Sequence, residues 1–239
     1  MKLLDRTLDT PAENLALDEA LLEQAEQGEG TEEYLRLWES RHPFVVLGRA
    51  SRAREEIDLD RCHQLGLPVL RRCSGGASVV VGPGCLMYAV VLSYRLRPHL
   101  QRINLAHELV LDHLARALQP LIPEVRFQGT SDLTLGDRKF SGNSLRCKRT
   151  HLLYHGTLLY DFPLELIAAC LRTPPRQPEY RQTRSHESFL VNLPIDAPGL
   201  RAALVAAWNA NRPLTDWPRD QTQQLRITRY ERPEWNLRH

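Results

Sequence analysis

The stretch LRRCSGGASVV, residues 70–80, sets two arginines, a serine and two glycines between apolar runs. LPVLRR (67–72) reads as a strand and CSGG (73–76) as the turn that ends it. Alternation along a strand sends Arg71 and Arg72 to opposite faces, so only one of them shares a side with the turn. Gly75 and Gly76 permit a close turn whose N–H groups are open to an anion. A guanidinium donates two parallel hydrogen bonds to a carboxylate or phosphate. The stretch is therefore either an anion-binding wall or an ordinary surface turn. No Gly-Lys-Ser/Thr follows and no GxGxxG is present, which excludes a P-loop and a dinucleotide fingerprint.

The flanking segments set the fold class. YLRLW (34–38) and PFVVLG (43–48) read as strands split by a turn-like ESRHP. ASVVV (77–81) and CLMYAVVLSY (85–94), with VGPG between them, read as a hairpin. VRFQ (125–128), DLTLGDRKFSG (132–142) and HLLYHGTLLY (151–160) supply further strands. Apolar residues at helical spacing predict helices over 14–27, with Pro11 near the start, and over 103–118, closed by Pro120. Shorter helices are expected at 57–65, 164–171 and 200–209. TPPRQPEYRQTRSHESF (173–189) reads as a polar loop, and QQLRITRYERPEWNLRH (223–239) as one short strand and a tail. Helices interrupt the strands without a βαβ rhythm, so the expectation is α+β: a mixed β-sheet flanked by helices.

The chain has 239 residues, of which 42% are hydrophobic and 25% charged, with a formal net charge of +2. That suffices for one sizeable core and gives no polybasic arm for nucleic acid. No apolar run reaches the roughly 18–20 residues of a membrane span, and the acids near the start do not suit a signal peptide. A cytoplasmic location is expected. The five cysteines, Cys62, Cys73, Cys85, Cys147 and Cys170, are odd in number and widely spaced, which argues against a disulfide scaffold. There is no CxxC pair for structural zinc, and none of the histidines forms HExxH.

Two further polar segments carry candidate chemistry. In GDRKFSGNS (136–144), Lys139 follows a tight turn, and simple alternation would point Lys139 and Ser141 the same way. A lysine there either stabilises charge developing on a carbonyl or phosphate, or is a solvated turn lysine. In YHGTLL (154–159), a His-Gly-Thr set interrupts an apolar strand. Gly156 marks a close approach of the backbone, to a ligand for instance, and His155 is either a ligand contact or a satisfied core histidine.

The order of these segments resembles the lipoate–protein ligase family, within the wider fold of biotin and lipoate ligases and octanoyltransferases. The pieces are ENLALDEALL, YLRLW with PFVVLG, RRCSGG, SDLTLGDRKFSGNS and HGTLL, from Asn14 to Leu166, with an echo in RYERPEWN. The resemblance implies a biotin/lipoate ligase catalytic-domain fold over residues 1–239, with 220–239 as a tail and no complete accessory domain. It implies ATP and Mg²⁺ as cofactors and lipoate as substrate, activated to lipoyl-AMP and passed to a lysine of an apo lipoyl-domain or H-protein-like acceptor. Lys139 matches the family's essential lysine. Arg72, Ser74, Gly75 and Gly76 match the loop against the acyl-adenylate, and His155, Gly156 and Thr157 the strand beside the carboxylate. Asp132 matches an acid near the nucleotide and its Mg²⁺, and Asn143 would hydrogen-bond backbone or ligand.

There are departures from that pattern. Ala77, Val80, Val81, Gly82 and Met87 stand where the family's ligases usually continue with glycine, aromatic, His-Asp and asparagine. Adenine and metal contacts would then come from other residues. A separate accessory subunit would supply the missing small domain. The competing reading is an octanoyltransferase that needs no ATP and forms an acyl-enzyme on cysteine. Cys170 is in the right general region but too close to His155, and neither Cys73 nor Cys147 is a position that branch uses. A non-catalytic acyl-binding member is a further alternative. The arginine-rich loop with Arg176, Arg181, Arg184 and His186 would cover the acyl pocket or receive an acidic acceptor, or be a solvated crossing loop.

Overall fold

The computed structural model describes residues 1–173 and 177–239. Arg176 of the basic loop therefore lies outside the described residues. The strands are β1 (Lys2–Asp5), β2 (Tyr34–Trp38), β3 (Phe44–Leu47), β4 (Val69–Arg71), β5 (Val79–Val81), β6 (Cys85–Ser93), β7 (Val125–Gln128), β8 (Asp132–Leu135), β9 (Arg138–Cys147), β10 (His151–Leu159) and β11 (Arg212–Pro213). The helices are α1 (Pro11–Gln27), α2 (Ala53–Glu56), α3 (Leu59–Gln64), α4 (Ile103–Leu118), α5 (Leu164–Cys170), α6 (His186–Phe189), α7 (Ala197–Ala207), α8 (Arg219–Leu225) and α9 (Pro233–Asn236).

Eight strands form the main sheet in the order β11-β1-β2-β6-β10-β9-β8-β7, and β4-β3-β5 form a small second one. In the main sheet β1 runs parallel to β11 and β2, while β2-β6-β10-β9-β8-β7 are antiparallel. The mixed α+β expectation holds. One face of the main sheet buries Tyr88, Leu133, Phe140 and Tyr154 against α4 and α7. The other face receives α1 through Leu17 and Leu21, and receives the small sheet through Trp38 and Met87. The cleft lies on this second face.

Helix α1 starts where Pro11 predicts. Thr10 caps it by accepting from Glu13 N–H at 3.2 Å, and Glu13 Oε2 accepts from Thr10 N–H at 3.0 Å. Its apolar positions Leu15, Leu17, Ala20, Leu21, Leu22 and Ala25 are all buried, but so are Asn14, Asp18 and Glu19. The helix is covered on two sides, by the sheet and by the C-terminal segment, so polar side chains inside it must find partners.

Three local expectations are corrected. ASVVV and CLMYAVVLSY do not form a hairpin: β5 pairs with β3, whereas β6 pairs with β2 and β10. The VGPG link passes between sheets, with Gly82 against Pro43 and Gly84, at φ +84°, against the Asp161 carbonyl. The C-terminal stretch holds no strand; α8 continues into a π-helical turn, Arg226–Tyr230, followed by α9. Tyr230 is drawn in because its hydroxyl donates to buried Glu19 at 2.8 Å. Within the polar loop, Glu179–Arg181 form a 3₁₀ turn and α6 is capped by Ser185. No helix of the described residues is long and apolar enough to cross a membrane.

Candidate active site

The cleft has two adjoining lobes, of about 350 and 110 Å³. The larger is of a size ordinary for a small-molecule pocket, roughly 300–1,000 Å³. Leu15, Val46 and Met87 line its apolar end, and Arg72, His155 and Asp132 reach it. The smaller is walled by Leu159, Ile167, Leu171, Phe189 and Leu190. Ser78, Lys139, Gly142, Thr157 and Arg181 line both.

The alternation argued for Arg71 and Arg72 holds. Arg71 turns away and is strapped by main-chain oxygens, donating to Gly48 at 2.7 Å, Ser51 at 2.8 Å and Arg238 at 2.6 Å. Arg72 faces the cleft. Its Nε donates to Ser74 Oγ at 3.1 Å, and its Nη2 to the carbonyls of Gly75 and, at 2.9 Å, Ala77. Burial pushes the Arg72 pKa down to about 10. Gly76, at φ +80°, lines the cleft; Ser74 and Gly75 stand behind it, and the Gly75 carbonyl also accepts from Ser144 at 2.9 Å.

Lys139 Nζ lies 2.7 Å from Asp132 Oδ1, while Tyr180 OH donates to Asp132 Oδ2 at 2.7 Å. Lys139 and Ser141 do not point the same way. The β8–β9 register slips at Phe140, pairing Lys139 with Thr134 but Ser141 with Leu133. This bulge turns Ser141 to the Leu133 side and brings Lys139 over Gly142, where a Cβ would meet Lys139 Nζ at 3.1 Å.

His155, Gly156 and Thr157 sit on β10 as expected. Thr157 Oγ1 accepts from Gly142 N–H at 3.2 Å. The close approach at Gly156 is to protein. A Cβ there would stand 1.8 Å from Asn143 Oδ1. Asn143 lines the larger lobe, and its side chain is engaged by protein: Oδ1 accepts from Tyr88 OH at 2.5 Å and Nδ2 donates to the Ser131 carbonyl at 2.9 Å. Its bonds are thus to backbone and side chains that hold β9 in place.

Asp18, Arg36 and Tyr180 were missed by sequence reasoning, whereas Arg181 of the basic loop lines both lobes as that loop's pocket-covering reading expected. Buried Asp18 pairs with buried Arg36 and lies 3.3 Å from His155 Nδ1. Burial works to raise the Asp18 pKa, but Arg36 and His155 outweigh it and hold the carboxyl below its ordinary value. Tyr180 clasps Asp132, and burial beside that carboxylate pushes its pKa up. Arg181 is 3% exposed, and its Nη2 has no partner among the described residues. An acid on the buried stripe Leu15-Asp18-Leu22, and an arginine at the centre of apolar YLRLW, were the available signals.

None of the five cysteines lines either lobe. Cys73 is buried beside Glu19 and Tyr230, and burial drives its thiol pKa well up. Burial likewise raises Cys85 and Cys170, and pushes Cys62 to about 12. Such thiols are poor nucleophiles. Among the described residues there is no group of three His, Cys, Asp or Glu side chains able to hold a metal.

The mixed sheet that carries these segments superposes on those of solved lipoate ligases. A solved structure of a bi-partite lipoate protein ligase with its E2 lipoyl domain from Thermoplasma acidophilum superposes with a TM-score of 0.81 at 22% identity, covering 99% of this chain and 95% of that one. A structure of lipoate-protein ligase A bound with ATP matches at 0.77 and 21% identity, covering 99% and 98%. The family model for the lipoyl protein ligase A/B catalytic domain matches residues 10–195, and the chain belongs to that family. A lipoate-protein ligase A homologue of Aeropyrum pernix is 32% identical over 158 residues, 66% of this chain and 56% of the relative. An octanoyltransferase of Carboxydothermus hydrogenoformans is 26% identical over 193 residues, 72% of this chain and 69% of the relative. The chain spans about half the length of the first curated ligase relatives it matches.

Proposed function

We propose that this chain is the catalytic part of a lipoate–protein ligase. A lipoate carboxylate oxygen attacks the α-phosphorus of ATP, the bond to pyrophosphate breaks, and lipoyl-AMP forms. The ε-amine of an acceptor lysine then attacks the acyl carbon. The bond to AMP breaks, an amide forms, and the amine proton leaves to solvent. The observation that carries this reading is the position of Lys139 at the junction of the two lobes. The acyl chain fits the larger lobe against Leu15, Val46 and Met87, gaining roughly 0.8 kcal/mol per buried CH₂. The base fits the small apolar lobe against Phe189 and Leu190. Carboxylate and α-phosphate then meet beside Lys139, which stabilises the charge spread over both. Arg181, with an unpartnered nitrogen at the same junction, supplies a second cation to the phosphates.

Mg²⁺ neutralises the departing pyrophosphate when bound. Asp132 is the carboxylate of the larger lobe, and both its oxygens are already engaged. Asp132 would hold an ion delivered on the triphosphate only through a remaining lone pair, the substrate phosphates supplying the other contacts. An acidic lipoyl domain is the acceptor we favour, and a second polypeptide the source of accessory contacts. The bi-partite Thermoplasma ligase with its E2 lipoyl domain is a precedent for both. Free thiols and ATP use suit a reducing, cytoplasmic setting. The relative that is an octanoyltransferase favours a second reading, acyl transfer through a cysteine thioester. The buried cysteines outside the cleft support the ligase instead.

The test is incubation of the chain with lipoate, Mg-ATP and an apo lipoyl domain, following pyrophosphate and acceptor mass. Lipoate-dependent pyrophosphate release is expected. Its absence, with ATP-independent transfer from an octanoylated carrier, would sink the ligase reading.

A further inference from the structure

A continuous chain of buried polar groups runs beneath the cleft, from Arg36 to the glycine loop. Arg36 Nη1 pairs with Asp18 Oδ1 and donates to the Asn14 carbonyl at 2.8 Å; Nη2 donates to Asn14 Oδ1 at 2.6 Å. Asp18 Oδ2 lies 3.3 Å from His155 Nδ1. His155 Nε2 lies 2.6 Å from Ser74 Oγ, which accepts from Arg72 Nε at 3.1 Å. Arg36 is 0% exposed, Asp18 and Ser74 1%, His155 5% and Arg72 8%, so water does not interrupt the chain. The strand register produces it. Arg36 and His155 both pair with Ala89 of β6, which places them on one face of the sheet beneath α1.

The direction of every hydrogen bond in the chain follows from its charges. A guanidinium only donates, so Arg36 and Arg72 are donors at the two ends. The Asp18 carboxylate, held ionised beside Arg36, only accepts. His155 Nδ1 must then carry a proton, and in the neutral imidazole Nε2 presents its lone pair to the Ser74 hydroxyl. Ser74 Oγ spends its remaining capacity on Arg72 Nε–H. The order Ser74-His155-Asp18 resembles that of a hydrolase triad, but Ser74 lines neither lobe, so it is not placed to attack a substrate.

We infer that Asp18 is a positioning residue: it holds His155 in the Nδ1–H tautomer and, through Ser74, orients Arg72 and the 72–77 loop toward the substrate's carboxylate end. The inference rests on the ligase reading for the identity of that substrate, but not for the tautomer. In Asp18→Asn, the amide oxygen stays with charged Arg36 and the NH₂ turns to His155. Nδ1 becomes an acceptor and the proton moves to Nε2. Ser74 then receives two donors, and its own hydrogen must turn elsewhere.

The test is long-range ¹H–¹⁵N correlation on histidine-labelled full chain, which reads the tautomer directly, with calorimetric titration of lipoate. Wild type should show His155 as Nδ1–H and Asp18→Asn as Nε2–H. Lipoate affinity should fall about tenfold, the scale of one net buried hydrogen bond. Ser74→Ala leaves the Asp18–Arg36 pair intact; it should keep Nδ1–H yet lose a similar factor in affinity. An Nε2–H wild type overturns the inference even where Asp18→Asn does not fold. So does an unchanged tautomer in Asp18→Asn, or unchanged affinity in both variants. Wild type showing Nδ1–H but not binding lipoate would overturn the ligase reading instead, while the tautomer argument stands.

Discussion

Replacing Gly156 by alanine tests whether this glycine serves packing or a ligand. Its φ lies outside the left-handed region, so the backbone accepts alanine, and the whole effect must come from contact. The new Cβ would stand 1.8 Å from Asn143 Oδ1, 2.7 Å from its Cγ and 2.9 Å from the Gly142 carbonyl oxygen. Asn143 must move, which breaks its bonds to Tyr88 OH and the Ser131 carbonyl. Overpacking of this kind costs about 1–3 kcal/mol. A fully buried hydroxyl such as that of Tyr88, left without its partner, costs about 1–3 kcal/mol more. The expected loss is about 4 kcal/mol, which lowers the Tm by roughly 8–16 °C in a chain of this size. Urea and thermal unfolding would be measured for Gly156→Ala, Asn143→Ala and the double variant. Asn143→Ala removes the obstructing side chain and leaves only the Gly142 carbonyl at 2.9 Å, so in that background Gly156→Ala should cost about half as much or less. A stable single variant, or additive losses in the double, would refute the packing argument. If the double variant were stable but could not bind lipoate, a ligand would be the reason for the glycine after all.

Other expectations follow from the same geometry. Lys139→Ala should slow lipoate-dependent pyrophosphate exchange at least about tenfold, about 1.4 kcal/mol of transition-state stabilisation; an unchanged rate removes Lys139 from the chemistry. Arg181→Gln should raise the KM for ATP by about tenfold, the loss of one charge-assisted contact, while lipoate binding without ATP stays unchanged; equal effects on both would place Arg181 elsewhere. Alanine at each cysteine in turn should leave ligation intact, and intact-mass analysis should find no hydroxylamine-sensitive adduct; one such adduct revives the thioester route. The Asp18 pKa is lowered from 3.8, so its stabilisation is complete above that value and is lost as pH falls through the lower folded value. Urea unfolding between pH 5 and the acid range should show that decline, and Asp18→Asn should flatten it.

The central strands were legible as apolar runs bounded by turn residues, buried at every position of β2, β6 and β10, and α1 by its leucine and alanine spacing, although its burial runs nearly all round. The hairpin misreading shows the limit. VVV and LMYAVV are apolar on both sides of a Gly-Pro turn, and nothing local says that each belongs to a different sheet. The partner of β5 lies in β3 and that of β6 in β2 and β10, which only the assembled sheets decide. RITRY alternates like a strand, yet the burial of Tyr230 on Glu19 draws it into a helical turn, a tertiary contact that overrides propensity. In the site, Arg72, Lys139 and His155 were legible through their order along the chain. The bulge at Phe140 was not, because a single added residue leaves the composition of a strand unchanged. Asp18 acts across 137 residues, where spacing carries no signal, while Arg181 was legible only as one of several arginines in a polar loop.

The arrangement of the two arginines accounts for the anion site that the ligase reading proposes for this cleft. Arg71 is held by main-chain carbonyls, and Trp235 Nε1 donates back to the Arg71 carbonyl at 2.8 Å, so the C-terminal segment clamps the end of β4 from outside. Arg72, one residue on, is held from inside by Ser74 and two loop carbonyls. Among the described residues, neither guanidinium has a carboxylate bonded to it. A buried cation satisfied only by neutral groups remains incompletely compensated, and the depressed Arg72 pKa is the sign of that cost. An arriving carboxylate or phosphate would supply the missing charge. The loop is already fixed on both sides, so little ordering cost is left to the substrate. On the proposed reading, the anion-binding wall that RRCSGG suggested has its first arginine as anchor and its second as contact, with opposite exposure to the cleft and one shared backbone.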